Sequence, residues 1–383
     1  MLPAATRPPS GSDFTGPVPT LYLAFELGNR EWTLGCTTGF GQPPRERTIA
    51  ARDLAALATE LSRARQRFGL PAGARVRSCY EAGRDGFWLH RALTQQGVVN
   101  LVVDSSSIEI NRRARRAKSD RLDVRKLLTM LLRYDAGETR VWHVVHVPTP
   151  EEEDRRQLHR ELLFTKRDRA RLTNRIKGLL AGQGVPLLTL QRFTAQLPEL
   201  RTWDGTPLAP ALAARLQREW AKVQVLSAQI RGLAAERRER LRTGTDPAVR
   251  QVRQLLALQA IGVESAWLYV MEFFSWRQFA NRREVGALAG LTPTPYQSGE
   301  RHREQGIAKA GNRHVRAMAI EIAWAWLRFQ PDRALARWYT TRFGHGSSRM
   351  RRIGIVALAR KLLIELWRYL ETGVLPAGAV LKG

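Results

Sequence analysis

Residues 21–37, with the sequence LYLAFELGNREWTLGCT, decide the fold of the first part of the chain. Two apolar runs, Leu21–Leu27 and Glu31–Thr37, flank a Gly28-Asn29 pair that is typical of a tight turn between antiparallel strands. This stretch therefore predicts a β-hairpin at the start of a sheet.

Strands and helices are predicted to alternate after this hairpin. The sequence predicts, in chain order, a strand at Arg47–Ala50, a helix at Asp53–Phe68, a strand at Arg75–Tyr80, a helix at Gly86–Gln96, a strand at Val98–Val103 and a helix at Asp123–Tyr134. The apolar run Val98–Val103 suits a buried parallel strand. The order β-β-β-α-β-α-β-α indicates an α/β domain with a ribonuclease-H-like sheet over residues 21–147.

Four acidic residues follow the plan of such a sheet, in which acids lie on the first strand, at the end of a central strand and on a late helix. Glu26 lies near the end of the first strand, Glu81 follows a central strand, and Asp120 and Asp123 open the last helix. Carboxylates that converge on one gap repel one another unless they bind cations, so the pattern predicts a site for Mg²⁺. Each acid also has a purely structural interpretation: a helix-capping acid, a strand-edge charge or a loop acid.

The chain is strongly basic. Its 383 residues include 62 Lys and Arg against 35 Asp and Glu, which leaves a net charge of +27 spread along the whole length. Such a charge favours nucleic acid as the partner, before a membrane, because many phosphate contacts release counterions. The basic stretch before Asp120 is predicted to grip nucleic acid, with a solvated charged loop as the alternative; it comprises Arg112, Arg113, Arg115, Arg116 and Lys118.

Other sequence features bound the class of protein. Cys36 and Cys79 are the only cysteines and form no C-x-x-C motif, so neither a disulfide framework nor a thiolate zinc site is expected. Residues 1–20, rich in Pro, Gly and Ser, predict a flexible tail. The sequence shows no signal peptide and no apolar run of membrane length, and we expect a cytoplasmic protein.

The second half of the chain is predicted to be helical. Thr149, Pro150 and Glu152 indicate a capping box at a helix start. The following residues alternate steps of four and three, as in a heptad seam, at Leu158, Leu162, Thr165, Arg169, Leu172, Ile176 and Leu179. With a second long helix over about 210–241, they predict an antiparallel coiled-coil hairpin over residues 148–245. A C-terminal helical domain is predicted over residues 246–375.

A second candidate site lies between the C-terminal helices, in the segment 289–313. Proline and glycine predict an ordered turn there, and Ser298 is followed by a glycine that leaves room for a bulky group to approach its hydroxyl. A serine among cations suits a phosphoryl-transfer nucleophile, although Ser-Gly is also an ordinary loop dipeptide. The neighbouring cations predicted to bind nucleic acid are Arg301, Arg303, Lys309 and Arg313.

Taken together, these motifs resemble those of the DEDD insertion-sequence transposases of the "IS one-ten" family, which are serine recombinases guided by a bridge RNA. The resemblance covers nearly all of residues 21–370. It rests on five segments in the family's order: Tyr80-Glu81-Ala82-Gly83, Lys118-Ser119-Asp120-Arg121-Leu122-Asp123, Gly290-Leu291-Thr292-Pro293, Gln297-Ser298-Gly299 and Lys309-Ala310-Gly311-Asn312-Arg313.

The resemblance implies a RuvC-like domain whose tetrad, Glu26, Glu81, Asp120 and Asp123, coordinates Mg²⁺. It also implies that Ser298 forms a covalent phosphoserine with DNA, in a composite site shared between subunits. The implied partners are donor and target DNA, a structured guide RNA encoded beside the gene, and further copies of the chain as a dimer or tetramer. One departure stands out, because the family's first acid is usually Asp and this chain has Glu26.

Two other functions are compatible with the same residues. A metal-dependent nuclease resembling Holliday-junction resolvases would use water as the nucleophile and leave Ser298 a structural role. A packaging protein that retained the fold without the chemistry would bind nucleic acid through charge alone.

Overall fold

The computed structural model describes residues 19–108, 119–185, 192–298, 301–309 and 311–382, without the side chains of residues 295–305. The chain divides into two compact units, Met1–Val147 and Pro148–Gly383. Among the described residues, no helix is long and apolar enough to cross a membrane.

The first unit contains a mixed sheet of five strands, β1 Thr20–Leu27, β2 Glu31–Thr37, β3 Arg45–Ala50, β4 Arg75–Glu81 and β5 Val99–Val103. Their order in the sheet is β3-β2-β1-β4-β5. Strands β1 and β2 form the predicted antiparallel hairpin, β3 extends it antiparallel, and β4 and β5 run parallel to β1. The predicted order of strands and helices is observed. The helices of this unit are α1 Leu54–Arg67, between β3 and β4, α2 Trp88–Gln95, between β4 and β5, and α3 Asp120–Asp135, after β5.

The ends of several elements differ from the prediction. Helix α3 begins at Asp120 rather than Asp123, because the Ser119 hydroxyl caps it by accepting from the Leu122 N–H at 3.3 Å. Glu81 is the last residue of β4 rather than a residue after it. Asp53 lies outside α1 as its cap, accepting from the Ala56 N–H at 2.8 Å. Both caps follow the usual preference of Ser and Asp for the position before a helix.

Successive side chains of β1 pack into two hydrophobic cores, one on each face of the sheet. Leu21, Leu23 and Phe25 point to a core shared with α1 and α2. The intervening Ala24 points to the other face, where it packs with Cys79 and the buried side of α3. Since successive side chains of a strand point to opposite faces, Glu26 belongs to the α3 face.

Helix α3 runs antiparallel to β1. Near its start, Val124 packs against Gly35, which pairs with Ala24 of β1. At its end, Asp135 accepts a hydrogen bond of 2.5 Å from the Tyr22 hydroxyl. The first turn of α3 therefore lies toward the carboxyl end of β1, where Glu26 is found.

Substitution of Gly35 tests this packing. A Cβ atom there would lie 2.3 Å from Val124 Cγ1 and 2.8 Å from Leu128 Cδ1, so Gly35→Ala should lower the free energy of unfolding by about 1–3 kcal/mol through overpacking. Gly39→Ala is the matched control, because a Cβ at Gly39 would meet nothing within 4 Å. Urea titration of the three proteins checks the prediction, and equal stability of both variants would contradict it.

The second unit begins with the predicted capping box. The Thr149 hydroxyl accepts from the Glu152 N–H at 3.2 Å, and the Glu152 carboxylate accepts from the Thr149 N–H at 2.8 Å. The helix that follows is interrupted once. Helix α4, Pro150–Arg155, is separated by Arg156 from the long helix α5, Gln157–Ala181.

Helix α5 packs beside α7, Pro210–Thr243, and the two helices run in opposite directions. Near the end of α5, Arg175 forms an ion pair of 3.1 Å with Glu219, which lies near the start of α7. Of the predicted seam, Leu158, Leu162, Thr165 and Ile176 are buried, whereas Leu180 is buried in place of Leu179.

The remaining helices enclose the largest core of the chain. The sequence predicted only helices here, but the structure contains a two-stranded antiparallel hairpin, and Ser298 ends its first strand rather than lying in a turn. The elements are α6 Phe193–Gln196, α8 Pro247–Leu256, α9 Val263–Tyr269, α10 Arg282–Leu288, β6 Pro293–Ser298, β7 Arg301–Ile307, α11 Arg313–Phe329, α12 Ala334–Tyr339 and α13 Ser348–Thr372.

His159 on α5 provides a pH-dependent test of the second unit. It is 2% exposed, and neither ring nitrogen has a hydrogen-bond partner among the residues that the structure describes. Burial lowers the pKa of His159 to about 4, although Glu272 and Glu264 oppose the shift while Arg237 and Lys166 add to it.

The folded protein should therefore lose stability as the pH falls from about 6.5 to 4, because only the unfolded chain binds the proton in that range. The loss due to His159 should be about 3 kcal/mol, with no further loss from this group below pH 4. Urea titrations across this pH range should show a flatter dependence for His159→Leu than for wild type. Identical pH profiles of the two proteins would contradict a lowered pKa of His159 in the folded protein.

Candidate functional site

Glu26 and Glu81 come together at one end of the sheet. The parallel register of β1 and β4 pairs Phe25 with Tyr80, so the next residues of the two strands, Glu26 and Glu81, are neighbours. Both carboxylates belong to the face that α3 covers, because Ala24 and Cys79, two residues before them, pack under that helix. The two glutamates line one cavity of about 340 Å³.

Asp120 and Asp123 both lie in the first turn of α3. Asp120 is exposed and Asp123 is half-buried. The direction of α3 puts this turn at the same end of the sheet as Glu26, but neither aspartate lines the cavity. Within the described ranges, no three Asp, Glu, His or Cys side chains lie close enough together to hold a metal ion. The described structure thus brings together two of the four predicted acids.

Further polar residues line the same cavity and were missed from the sequence. Asp85 forms ion pairs with Arg52 at 3.0 Å and with Arg84 at 3.5 Å. The Ser105 hydroxyl donates to the Ala82 carbonyl at 3.2 Å. Arg84, Asp85 and Ser105 each come shortly after a parallel strand. Because ligands bind at the carboxyl ends of such strands, this position in the sequence could have identified them as site residues.

The two cysteines offer no alternative nucleophile. Burial raises the pKa of the Cys36 thiol to about 12, and burial together with Glu81 raises that of Cys79 further. Both thiols therefore stay protonated at neutral pH, and reactivity requires the thiolate.

Ser298 lies on a hairpin in the second unit, at the end of β6 and in register with Arg301 of β7. Thr294 Oγ1 donates to the Gly306 carbonyl at 3.2 Å across the two strands. The side chains of Ser298, Arg301 and Arg303 lie outside the described part of the structure.

The chain that leaves this hairpin contacts the end of helix α10 and the residues that follow it. The Ala308 N–H donates to the Thr292 carbonyl at 2.9 Å, and the Lys309 N–H donates to the Gly290 carbonyl at 3.2 Å. Gly311 has a φ of +74°, and a Cβ there would lie 1.9 Å from the Leu288 carbonyl oxygen. Only glycine can occupy that position. The backbone that leads out of the hairpin is thereby fixed.

Of the predicted nucleic-acid contacts, Lys309 and Arg313 are described, and both are exposed. Lys309 itself has a left-handed backbone conformation, with a φ of +57°. The five basic residues predicted upstream of α3, Arg112, Arg113, Arg115, Arg116 and Lys118, lie outside the described residues.

Comparison with known proteins identifies several relatives. The profile of the family described as "Transposase IS116/IS110/IS902 family" matches residues 252–339. A "Putative transposase y4rJ" of Sinorhizobium fredii is 40% identical over the full length of both chains. A "Probable family 20 transposase" of Pseudomonas aeruginosa is 29% identical over 59% of this chain and 66% of that protein. The "Transposase for insertion sequence element IS1328" of Yersinia enterocolitica is 27% identical over 58% of this chain and 65% of that protein.

The adjacent glutamates generate a prediction about Mg²⁺. Like charges on neighbouring strands destabilise a sheet, so Glu81→Gln should raise the free energy of unfolding without metal by roughly 0.2–1 kcal/mol. Wild type should gain stability when Mg²⁺ is added, and Glu81→Gln should gain much less. Thermal unfolding with and without Mg²⁺ measures both effects. Glu31→Gln, an exposed change on β2, is the control; an equal Mg²⁺ response in all three proteins would contradict a site at Glu81.

Proposed function

Because this chain belongs to the IS116/IS110/IS902 family of transposases, we propose that it cleaves and rejoins DNA strands through a phosphoserine on Ser298, with a carboxylate site in its first unit. The observation that supports the carboxylate site most strongly is the neighbouring position of Glu26 and Glu81, directly after the paired residues Phe25 and Tyr80 of two parallel strands. Both glutamates belong to the sheet face covered by the helix that carries Asp120 and Asp123.

We assign the first unit to the ribonuclease-H-like fold, in its RuvC-like form. The strand order β3-β2-β1-β4-β5, with an antiparallel hairpin followed by parallel strands, supports this assignment. The placement of acids on the first strand, on the adjacent parallel strand and on α3 supports it independently. The second unit would supply the antiparallel helix pair and the helical domain that carries the serine.

The residues present fit Mg²⁺. This ion is commonly held by one or two carboxylates, together with water and phosphate oxygens. Glu26 and Glu81 provide two such carboxylates on one cavity, and Asp120 and Asp123 would complete the set from the first turn of α3. When bound, Mg²⁺ would neutralise negative charge on the phosphate and on the leaving oxygen.

The proposed reaction on Ser298 is a balanced phosphoryl transfer. A bond forms between Ser298 Oγ and phosphorus while the bond from phosphorus to a deoxyribose oxygen breaks. The serine proton is released, and the departing oxygen takes up a proton. In the second step, a hydroxyl at another DNA end attacks the phosphoserine, which restores a phosphodiester and the free serine. The number of phosphodiester bonds is conserved, so no external energy source is needed.

Guide-RNA binding and assembly belong to the same proposal. The resemblance to bridge-RNA-guided recombinases supports a structured RNA as the element that pairs with donor and target DNA. The net charge of +27 is compatible with binding RNA and DNA together. We propose that nine basic residues contact nucleic acid: Arg112, Arg113, Arg115, Arg116, Lys118, Arg301, Arg303, Lys309 and Arg313. We propose a dimer that joins into a tetramer on DNA.

Glu26 in place of aspartate should alter the rate rather than abolish the site. Its extra methylene moves the carboxylate by about 1.5 Å, a distance at which positioning affects catalysis. Glutamate nonetheless offers the same oxygen ligands, and the neighbouring position of Glu81 is unchanged.

Excision in cells tests the proposed chemistry. The gene would be supplied with its native flanking DNA, and amplification would detect the circular junction of the excised element. Ser298→Ala and Asp120→Ala should each reduce the junction by at least about 10³-fold, because removal of a catalytic group abolishes its step. Ser62→Ala, an exposed change on α1, should leave it unaltered.

The same experiment separates the transposase from the nuclease. A junction that persists in Ser298→Ala and disappears in Asp120→Ala would assign the chemistry to the carboxylates alone. That result would contradict the serine mechanism.

A further inference from the structure

A basic stretch spans the end of the segment that matches the family profile. Residues 328–352 contain one acid, Asp332, and seven arginines. Four of these arginines surround the start of α13 and are here called the basic turn: Arg342, Arg349, Arg351 and Arg352. The profile match ends at residue 339, so the basic turn is outside it.

The backbone beneath the basic turn is closely packed. A Cβ at Gly354 would lie 2.4 Å from the Phe343 ring, and a Cβ at Gly346 would lie 2.9 Å from Met350. The Tyr339 hydroxyl donates to the Arg351 carbonyl at 3.4 Å. These contacts fix the loop against the first two turns of α13, so the arginines project from a defined surface.

All four side chains of the basic turn are exposed. None of them forms an ion pair with an acid among the residues that the structure describes. Arginines on α7 behave differently, since Arg240 pairs with Glu236 at 2.8 Å and Arg242 pairs with Glu239 at 2.6 Å. The basic turn is thus a concentration of unneutralised charge, whereas Arg240 and Arg242 of α7 are each paired with a glutamate.

The positive charge of the basic turn is electrostatically unfavourable in the protein without a bound partner. The first turn of α13 contains no acid, although the positive end of a helix dipole favours acids there and disfavours arginine. Arg349 and Arg352 are three residues apart, so their like charges repel on one side of the helix. Such a local conflict is typical of functional surfaces, where a bound partner removes it. A polyanion would remove both the repulsion and the conflict with the dipole.

Apolar side chains lie between the arginines. Met350 is 44% exposed and Ile353 is 45% exposed, in the same two helical turns. Guanidinium groups interspersed with small apolar contacts suit a sugar–phosphate backbone, which presents anionic oxygens separated by apolar deoxyribose.

We propose that the basic turn binds the phosphate backbone of duplex DNA. The inference rests on DNA as the substrate in the proposed function, but it does not depend on the chemistry of Ser298. The turn makes no base contacts in this proposal; it holds the duplex through two or more phosphates. Binding and strand exchange are therefore separate properties, and either can fail without the other.

Salt dependence of binding tests the proposal. The double variant Arg349→Gln/Arg352→Gln is compared with Arg240→Gln/Arg242→Gln, which removes the same charge from acid-paired positions of α7. Affinity for a labelled duplex would be measured over a range of NaCl concentrations without Mg²⁺. The slope of log affinity against log salt should become shallower by about 1.8 for the first variant, from roughly 0.9 per lost phosphate contact, and should not change for the second.

Further variants keep this test decisive. Arg349→Lys/Arg352→Lys should retain the wild-type slope, because lysine preserves the charge. Thermal unfolding of the glutamine variant should show an unchanged or higher midpoint, since repulsion is relieved. An equal change of slope in the basic-turn and α7 variants would overturn the proposal. So would a change seen with a hairpin RNA and absent with duplex DNA.

A positional measurement provides a second test. Cys36 and Cys79 are buried, so an iron–EDTA reagent coupled to Met350→Cys should label one site. Localised cleavage of a bound duplex is expected from residue 350, and not from the same reagent at Val225→Cys, an exposed position on α7. Equal cleavage from both positions, or none from residue 350, would overturn the proposal.

Discussion

The contact between helix α3 and the sheet at Gly35 is the constraint on which the first unit depends. Without a side chain at Gly35, Val124 and Leu128 reach the strand backbone, and the helix lies flat across β1, β2 and β4. Its first turn then lies at the end of the sheet where Glu26 and Glu81 are neighbours. Gly35, which has no side chain, thereby determines where Asp120 and Asp123 of α3 lie.

The second unit also contains a glycine at a point of close backbone approach. Gly311, with its left-handed backbone and its close approach to the Leu288 carbonyl, fixes the chain as it leaves the hairpin of β6 and β7. In both units, a glycine at a point of close approach sets the position of residues proposed to act on DNA. The backbone that carries the proposed active groups is thus positioned by close packing at these two glycines.

Much of the first unit could be predicted because its signals are local. Alternating apolar runs, a Gly-Asn turn and helix-capping residues specify the elements. The parallel register, which pairs Phe25 with Tyr80, then makes Glu26 and Glu81 neighbours. The hairpin of β6 and β7 was missed, since Pro293 and Pro295 argue against a strand and β7 is rich in charged residues. The contribution of Asp85 was missed as well, because its place on the cavity depends on how the loop after β4 folds back. The break at Arg156 and the burial of Leu180 in place of Leu179 also depend on tertiary packing.

The most direct measurement is the chemical identity of the protein–DNA linkage. The protein would be incubated with its DNA and guide RNA in Mg²⁺, the strand exchange stopped by denaturation, the DNA digested with nuclease, and the remaining peptides analysed by mass spectrometry. A nucleotide attached to Ser298 in wild type, and missing when Glu81 is replaced by Gln, is the predicted result. Cleaved DNA without any nucleotide on the protein, or a nucleotide attached to a different residue, would contradict a phosphoserine mechanism supported by the carboxylates of the first unit.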